Sequence, residues 1–319
     1  MSQLSREDVT EARERIAGKV ERTPLIEVRI GGRRMWLKCE CLQTGGAFKL
    51  RGASNRLLML SAEERKRGVV AFSSGNHARG VAIAARRLGM KAVIVMPSDA
   101  PAVKVEGTLD EGAEILFYDR RTGNREAMAA EIRAASGAIV VPSFDDPAIV
   151  SGQGTVGLEI LDQLHERDIE APSMIVVPCG GGGLASGIAL ACPETAIVAV
   201  EPEGWDDMAR SLVLGAIVAV DADAPDTLCD ALQTPRVSPI TFEIFQERKV
   251  RMVSVSDAEV EQAVRFAWAE QALVVEPGGA VALAAVLAGK VDPPEGAVIV
   301  LSGGNIDPAL HARIVGAAV

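Results

Sequence analysis

Short, continuously apolar runs recur along this chain, each followed by a longer alanine-rich amphipathic stretch. The runs cover 68–72, 92–96, 114–118, 138–141, 174–178, 196–200 and 297–301. They carry no polar alternation, which is the pattern of strands buried on both faces. The stretches at 76–88, 125–135, 157–165, 257–271 and 279–288 have helical periodicity. Strand and helix in alternation predict an α/β fold, with mostly parallel open sheets flanked by helices. Two such runs are visible, one over about 66–145 and one from about 150 onward, with Asp145-Asp146-Pro147 as a boundary. Two domains are expected, a small one at 66–145 and a large one from 1–65 and 146–319.

The 319 residues suffice for a sizeable core. A formal net charge of -10 disfavours nucleic acid and anionic membranes as partners, and small-molecule chemistry becomes the default. Five irregularly spaced cysteines (Cys39, Cys41, Cys179, Cys192 and Cys229) read as reduced core residues. The charged N-terminus lacks an apolar leader, and no apolar run reaches the roughly 20 residues of a bilayer span. A soluble cytoplasmic protein is expected.

Ligands of open α/β folds bind at strand carboxyl ends, and four unusual segments lie at such positions. Lys49 sits between Gly45-Gly46 and Arg51-Gly52-Ala53, after the apolar run Met35-Trp36-Leu37. A lysine amine can form a Schiff base with an aldehyde cofactor and then act as a base. A solvated lysine is the plain alternative. Ser73-Ser74-Gly75-Asn76-His77 offers hydroxyls and free amides at a helix start, suited to a carboxylate, or serves simply as a cap. Cys179 and the tetraglycine Gly180-Gly181-Gly182-Gly183 lead into an alanine-rich helix. Such a turn lets backbone amides approach a phosphate. It is neither the dinucleotide fingerprint nor a P-loop, because the spaced glycines and the Gly-Lys-Ser/Thr are missing. Ser302-Gly303-Gly304-Asn305 is the fourth segment, with a turn as its alternative reading.

A candidate Schiff-base lysine, a phosphate cradle and a strand-end hydroxyl together suggest pyridoxal 5'-phosphate. On these motifs the chain resembles the fold type II pyridoxal-phosphate enzymes (the tryptophan synthase β-like fold), and within them the serine/threonine dehydratase and serine racemase group. Leu37-Lys38-Cys39-Glu40, Gln43, Gly46–Ala53, Gly152-Gln153-Gly154-Thr155, Glu276-Pro277 and Ser302–Asn305 follow in that group's order. Ala47 departs from it, since a serine is usual there.

The resemblance implies roles. Lys49 would carry the cofactor, Phe48 would lie against its ring and Asn76 would bond the ring 3'-hydroxyl. Gly180, Gly181, Gly182 and Gly183 would hold the phosphate, and Ser302 would face the pyridine nitrogen. A hydroxyl there makes the ring a weaker electron sink than a carboxylate would, which favours β-elimination over transamination. The implied reaction is dehydration of a β-hydroxy amino acid of the serine, threonine or 3-hydroxyaspartate type. Its carboxylate would sit on Ser73, Ser74, Gly75, Asn76 and His77. Lys49 would remove the α-proton, the cofactor phosphate would protonate the departing hydroxyl, and a 2-oxo acid and ammonia would result. Ser74 matches the second acid/base of serine racemase, so a racemase with side β-elimination is the alternative. Arg125 matches an arginine that reaches the site in serine racemase, and would suit a second carboxylate; a surface position is the other reading. Glu201, Trp205 (through its carbonyl) and Asp207 resemble the group's divalent-cation loop, suited to magnesium, calcium or manganese. A homodimer is expected. The chain stops soon after Ser302–Asn305, so no feedback inhibition by isoleucine through a regulatory domain is expected. A cysteine synthase-like enzyme fits less well, because that branch follows its lysine with Asp-Arg. A non-catalytic amino-acid-binding protein of the same fold is the alternative outside enzymes.

Overall fold

A computed structural model describes residues 4–119 and 122–316. In chain order the elements begin with α1 (Arg6–Ile16), β1 (Leu25–Ile30), β2 (Arg33–Cys39), α2 (Lys49–Leu58), α3 (Ala62–Arg67), β3 (Val69–Phe72), α4 (Asn76–Arg87), β4 (Ala92–Pro97), α5 (Ala102–Leu109), β5 (Glu114–Tyr118), α6 (Arg125–Ser136) and β6 (Ile139–Val140). They continue with α7 (Pro147–His165), β7 (Met174–Pro178), α8 (Gly183–Ala191), β8 (Ala196–Pro202), α9 (Asp207–Leu214), α10 (Pro239–Glu247), β9 (Arg251–Val255), α11 (Asp257–Gln271), α12 (Pro277–Leu287), β10 (Val298–Leu301) and α13 (Pro308–Val315).

The strands form two sheets. One has the order β1-β2-β10-β7-β8-β9, with β1 and β2 antiparallel and the other neighbours parallel. The second has the order β5-β4-β3-β6 and is parallel throughout. The apolar runs are continuous because alternate residues feed opposite cores. Val298 and Val300 of β10 pack with Leu158 of α7 and Ile188 of α8, whereas Ile299 and Leu301 pack with Val264 of α11 and Val281 of α12. In the smaller sheet Val69 and Ala71 pack with Leu57 of α2 and Val81 of α4, and Val70 packs with Ala129 of α6. The α/β fold with parallel sheets and flanking helices is therefore observed.

Three strands were not expected. β1 (Leu-Ile-Glu-Val-Arg-Ile) and β9 are sheet edges that carry charged residues, so their apolar signal is broken. β2 also begins with two arginines before its buried half. The helix expected at 157–165 is the end of α7, which starts at Pro147. Asp146 caps it, accepting from the amides of Ala148 at 2.8 Å and Ile149 at 3.1 Å. Gly152 and Gly154 lie inside the helix at close crossings. A Cβ on Gly152 would stand 2.7 Å from the Gly52 Cα of α2, and one on Gly154 would stand 2.6 Å from the Gly187 carbonyl of α8.

A buried ionic network ties β2, α2 and α7 together beneath the lysine loop. Arg51 Nε and Nη2 each donate to the Glu40 carboxylate at 2.8 Å, and Nη1 and Nη2 donate to Glu159 at 2.7 and 2.8 Å. Lys38 Nζ donates to Glu159 at 2.8 Å and to Gln163 at 3.0 Å. Burial opposes the charge on Glu40, but Arg51 overcomes it and holds the carboxyl below its ordinary value. All five cysteines are buried and unbridged. Among the described residues no helix is long and apolar enough to cross a membrane.

Candidate active site

The loops after β2, β3, β5, β6, β7 and β10 line one cleft, together with the segment 230–234, which opens as a single 3-10 turn. It contains Phe48, Lys49, Ser73, Ser74, Gly75, Asn76, His77, Arg125, Gly180, Gly181, Gly182, Gly183 and Ser302. The folded chain thus brings together the residues that the sequence pointed to, save the cation loop.

Lys49 opens α2. Its Nζ donates to the Ser143 carbonyl at 3.0 Å and lies 5.1 Å from the Phe48 ring centroid. The side chain is half-buried and opens on the cleft. Desolvation pushes its ammonium down to about 8. The free amine is the form that attacks an aldehyde, so the rate at which cofactor-free protein combines with pyridoxal phosphate should rise through pH 8 and then level. A stopped-flow pH series with a midpoint near the ordinary lysine value of about 10.4 would contradict this placement.

The tetraglycine joins β7 to α8. Gly182 has φ +83°, the left-handed region that favours glycine. The amides of Gly180, Gly181, Gly183 and Leu184 have no backbone partner among the described residues. They form a donor-rich turn at the positive end of a nine-residue helix. A Cβ on Gly181 would collide with the Phe144 ring.

Ser73 Oγ accepts from the Gly75 amide at 3.1 Å, while the amides of Ser74, Asn76 and His77 find no partner among the described residues. The His77 ring turns inward. Its Nε2 lies 2.9 Å from the Val141 carbonyl. Burial, with the Lys49 charge adding to it, pushes its pKa down to about 3. His77 thus contributes its amide and a neutral ring, not a charge. Asn76 is held on both sides, donating to Glu276 Oε1 and accepting from Asn305 Nδ2 at 2.8 Å. The Ser302 carbonyl accepts from the Phe48 amide at 3.2 Å, which leaves the buried Ser302 hydroxyl at the cleft. The Arg125 guanidinium lies 5.4 Å from the Phe72 ring centroid at the rim, with no carboxylate partner among the described residues.

Glu201, Trp205 and Asp207 lie outside this cleft. Glu201 is fully buried, and its oxygens accept from the Met208 and Ala209 amides at 3.0 and 3.1 Å. Asp207 is 1% exposed, with Oδ2 unpartnered. Burial, with Asp207 adding its charge, pushes the Glu201 carboxyl well up. Burial likewise lifts Asp207 to about 7. Two buried acids and an orphaned oxygen fit a cation. Among the described residues no three His, Cys, Asp or Glu side chains gather for a metal. The remaining ligands would therefore be carbonyls and water.

Sequence reasoning missed Ser143, Phe144, Asp230 and Thr234, which also line the cleft. Ser143 and Phe144 follow β6, so the strand-end rule could have found them. The segment 230–234 follows no strand and carries no pattern.

An amine that burial has primed, beside an amide cradle at the strand ends of an α/β fold, defines a site for an aldehyde cofactor with a phosphate arm. The chain belongs to the pyridoxal-phosphate dependent enzyme family, whose pattern it matches over residues 16–303. It is 41% identical to an L-threo-3-hydroxyaspartate ammonia-lyase of Pseudomonas sp, over 99% of each chain. It is 38% identical to a serine racemase of Arabidopsis thaliana, over 94% of this chain and 92% of that one. The structure of a threonine deaminase from T.th. superposes with a TM-score of 0.88 at 40% identity, covering 95% of this chain and 99% of that one.

Proposed function

We propose that this protein is a dehydratase (ammonia-lyase) that converts a β-hydroxy amino acid to a 2-oxo acid and ammonia. One observation carries the reading: Lys49 Nζ, with its lowered pKa, shares a cleft with two sets of unpartnered amides, one in the tetraglycine turn and one at Ser74, Asn76 and His77. The first set suits a phosphate and the second a carboxylate. The names of two of the relatives, an ammonia-lyase and a threonine deaminase, support the same reaction.

Pyridoxal phosphate, when bound, supplies the electron sink for the α-carbon. The chain does the rest. Gly180, Gly181, Gly182 and Gly183 would hold the phosphate, Phe48 would lie beside the ring, and Asn76 and Ser302 would meet its oxygen and nitrogen. The amides of Ser74, Asn76 and His77 orient the substrate carboxylate. Lys49, half-buried and without a carboxylate partner, is poised to release its proton near neutral pH and take one from the α-carbon. We propose that 66–145 forms a small domain over a cofactor-binding remainder, 1–65 and 146–319, and that the protein works as a cytoplasmic homodimer. Sedimentation velocity tests the dimer.

The purified protein should show an absorbance band at roughly 410 nm, typical of a lysine-bound cofactor. It should release 2-oxo acid from at least one of serine, threonine and 3-hydroxyaspartate. Absence of the band after cofactor addition removes the enzyme reading and favours a non-catalytic binder. Arg125→Ala should weaken 3-hydroxyaspartate more than serine; equal effects would remove that arginine from substrate choice. Racemisation is the second reading. The Ser74 hydroxyl favours it, lining the cleft without a protein partner among the described residues. Exchange of the α-proton with inversion, lost in Ser74→Ala while elimination persists, would establish it.

A divalent cation at Glu201, Asp207 and the Trp205 carbonyl belongs to the same proposal. An acid raised in the fold stabilises when protonated, and that contribution disappears as pH climbs toward 7. Magnesium, calcium or manganese should therefore raise the melting temperature by about 2–5 °C at pH 8 and not at pH 5. Asp207→Asn should abolish the shift; a shift that survives would place the ion elsewhere.

A further inference from the structure

A polar chain runs behind the cleft and joins its walls. Arg79 Nη1 donates to Asn305 Oδ1 at 3.2 Å. Asn305 Nδ2 donates to the Gly45 carbonyl and to Asn76 Oδ1, each at 2.8 Å. Asn76 Nδ2 donates to Glu276 Oε1. Glu276 Oε2 lies 2.9 Å from Lys104 Nζ, which also donates to both oxygens of Asp230 at 2.9 and 2.7 Å. Lys104 comes from α5 in the four-stranded layer, Glu276 caps α12 on the six-stranded layer, and both are buried.

The ends of this chain fix its direction. Arg79 and Lys104 can only donate, and the Gly45 carbonyl can only accept. Asn305 must therefore turn its oxygen to Arg79 and its amide hydrogens to Gly45 and Asn76. Asn76 must in turn show its oxygen to Asn305 and its amide nitrogen to Glu276. One amide hydrogen of Asn76 remains unspent, and Asn76 lines the cleft. Burial works against the Lys104 charge, but Glu276 and Asp230 overcome it and keep the ammonium protonated. Two glycines make room for the chain. A Cβ on Gly303 would overlap Glu276 Oε1, and a Cβ on Gly75 would overlap the Lys104 stem.

We propose that Asn305, Glu276 and Lys104 are positioning residues that lock the Asn76 amide so that it presents a donor, never an acceptor, to the 3'-oxygen of the cofactor. The inference rests on the proposed role of Asn76. It adds that the ring oxygen is bound as an anion, the form that accepts from an N–H without needing to donate.

The test uses the cofactor-loaded protein without substrate and reads the pyridoxal phosphate dissociation constant and the position of the visible band. Asn305→Asp places an acceptor against the Asn76 oxygen and should force that amide to turn. The dissociation constant should rise at least tenfold and the band should move to shorter wavelength. Lys104→Met combined with Glu276→Gln removes the buried charges together and frees the polarity of the chain. It should shift the band in the same direction, with a dissociation constant raised about threefold or more. A role confined to stability would lower the melting temperature and leave band and affinity alone, and that result in both variants would overturn the proposal. If the wild-type protein shows no band, the cofactor reading of Asn76 fails first. If Asn76→Ala moves the band and Asn305→Asp does not, the positioning inference alone fails.

Discussion

Lys49→Ala is expected to lose the visible cofactor band and at least about 10³-fold of the turnover, because one side chain serves as both attachment point and base. The effect should be specific. Lys49 makes one hydrogen bond, to the Ser143 carbonyl, and no ion pair among the described residues. Its removal leaves no buried charge uncompensated, so the melting temperature of the cofactor-free protein should change little. Added small amines should restore part of the α-proton removal without restoring the lysine attachment. Unchanged absorbance and turnover in Lys49→Ala would sink the proposed site altogether.

The second large effect concerns stability. Arg51→Met should cost about 3–5 kcal/mol in denaturant unfolding, since breaking a buried pair strands its partners. The guanidinium is 0% exposed and bonds Glu40, Glu159, Thr155 and the Glu21 carbonyl. Lys38 remains within reach of Glu159, but the Glu40 carboxylate loses its bidentate partner. Arg51→Lys should recover little, because a point charge cannot bond two carboxylates along parallel forks. The pH dependence carries a sign. The folded Glu40 value lies below its ordinary one, so its contribution is present above the unfolded value and is lost as pH falls through the folded one. Arg51→Met should remove that acid sensitivity. A loss under about 1 kcal/mol would mean the network is neutral in the balance. Cofactor affinity should weaken as well, because Arg51 anchors the first turn of α2, where Lys49 sits.

Most of the parallel strands were legible in the sequence, and for a physical reason. A strand with a core on each face needs apolar residues throughout, and such runs stand out at 92–96 and 174–178. β1 and β9, at the sheet edges, mix charge into the pattern and were invisible. The first part of α7 lay outside the helix expected at 157–165, and nothing local reveals that α2 and α8 press against Gly152 and Gly154 there. The cleft was legible to the extent that its parts follow strands. Lys49, the 73–77 loop, the tetraglycine and Ser302 announce themselves by unusual composition at strand ends. Asp230 and Thr234 follow no strand, and Lys104 reads as one more charged residue on a short helix.

The sequence by itself determined the fold class, the segments that form the cleft and the chemistry of its lysine, because short-range periodicity and backbone-permissive glycines encode these locally. Tertiary structure alone decided how that chemistry is tuned. The lowered pKa of Lys49, the neutral inward ring of His77 and the fixed polarity of Asn76 arise from groups distant in the chain. Asn76 meets Glu276 and Asn305 across separations of 200 and 229 residues. Desolvation and hydrogen-bond direction depend on which groups folding brings within a few ångströms, and no local pattern carries that information.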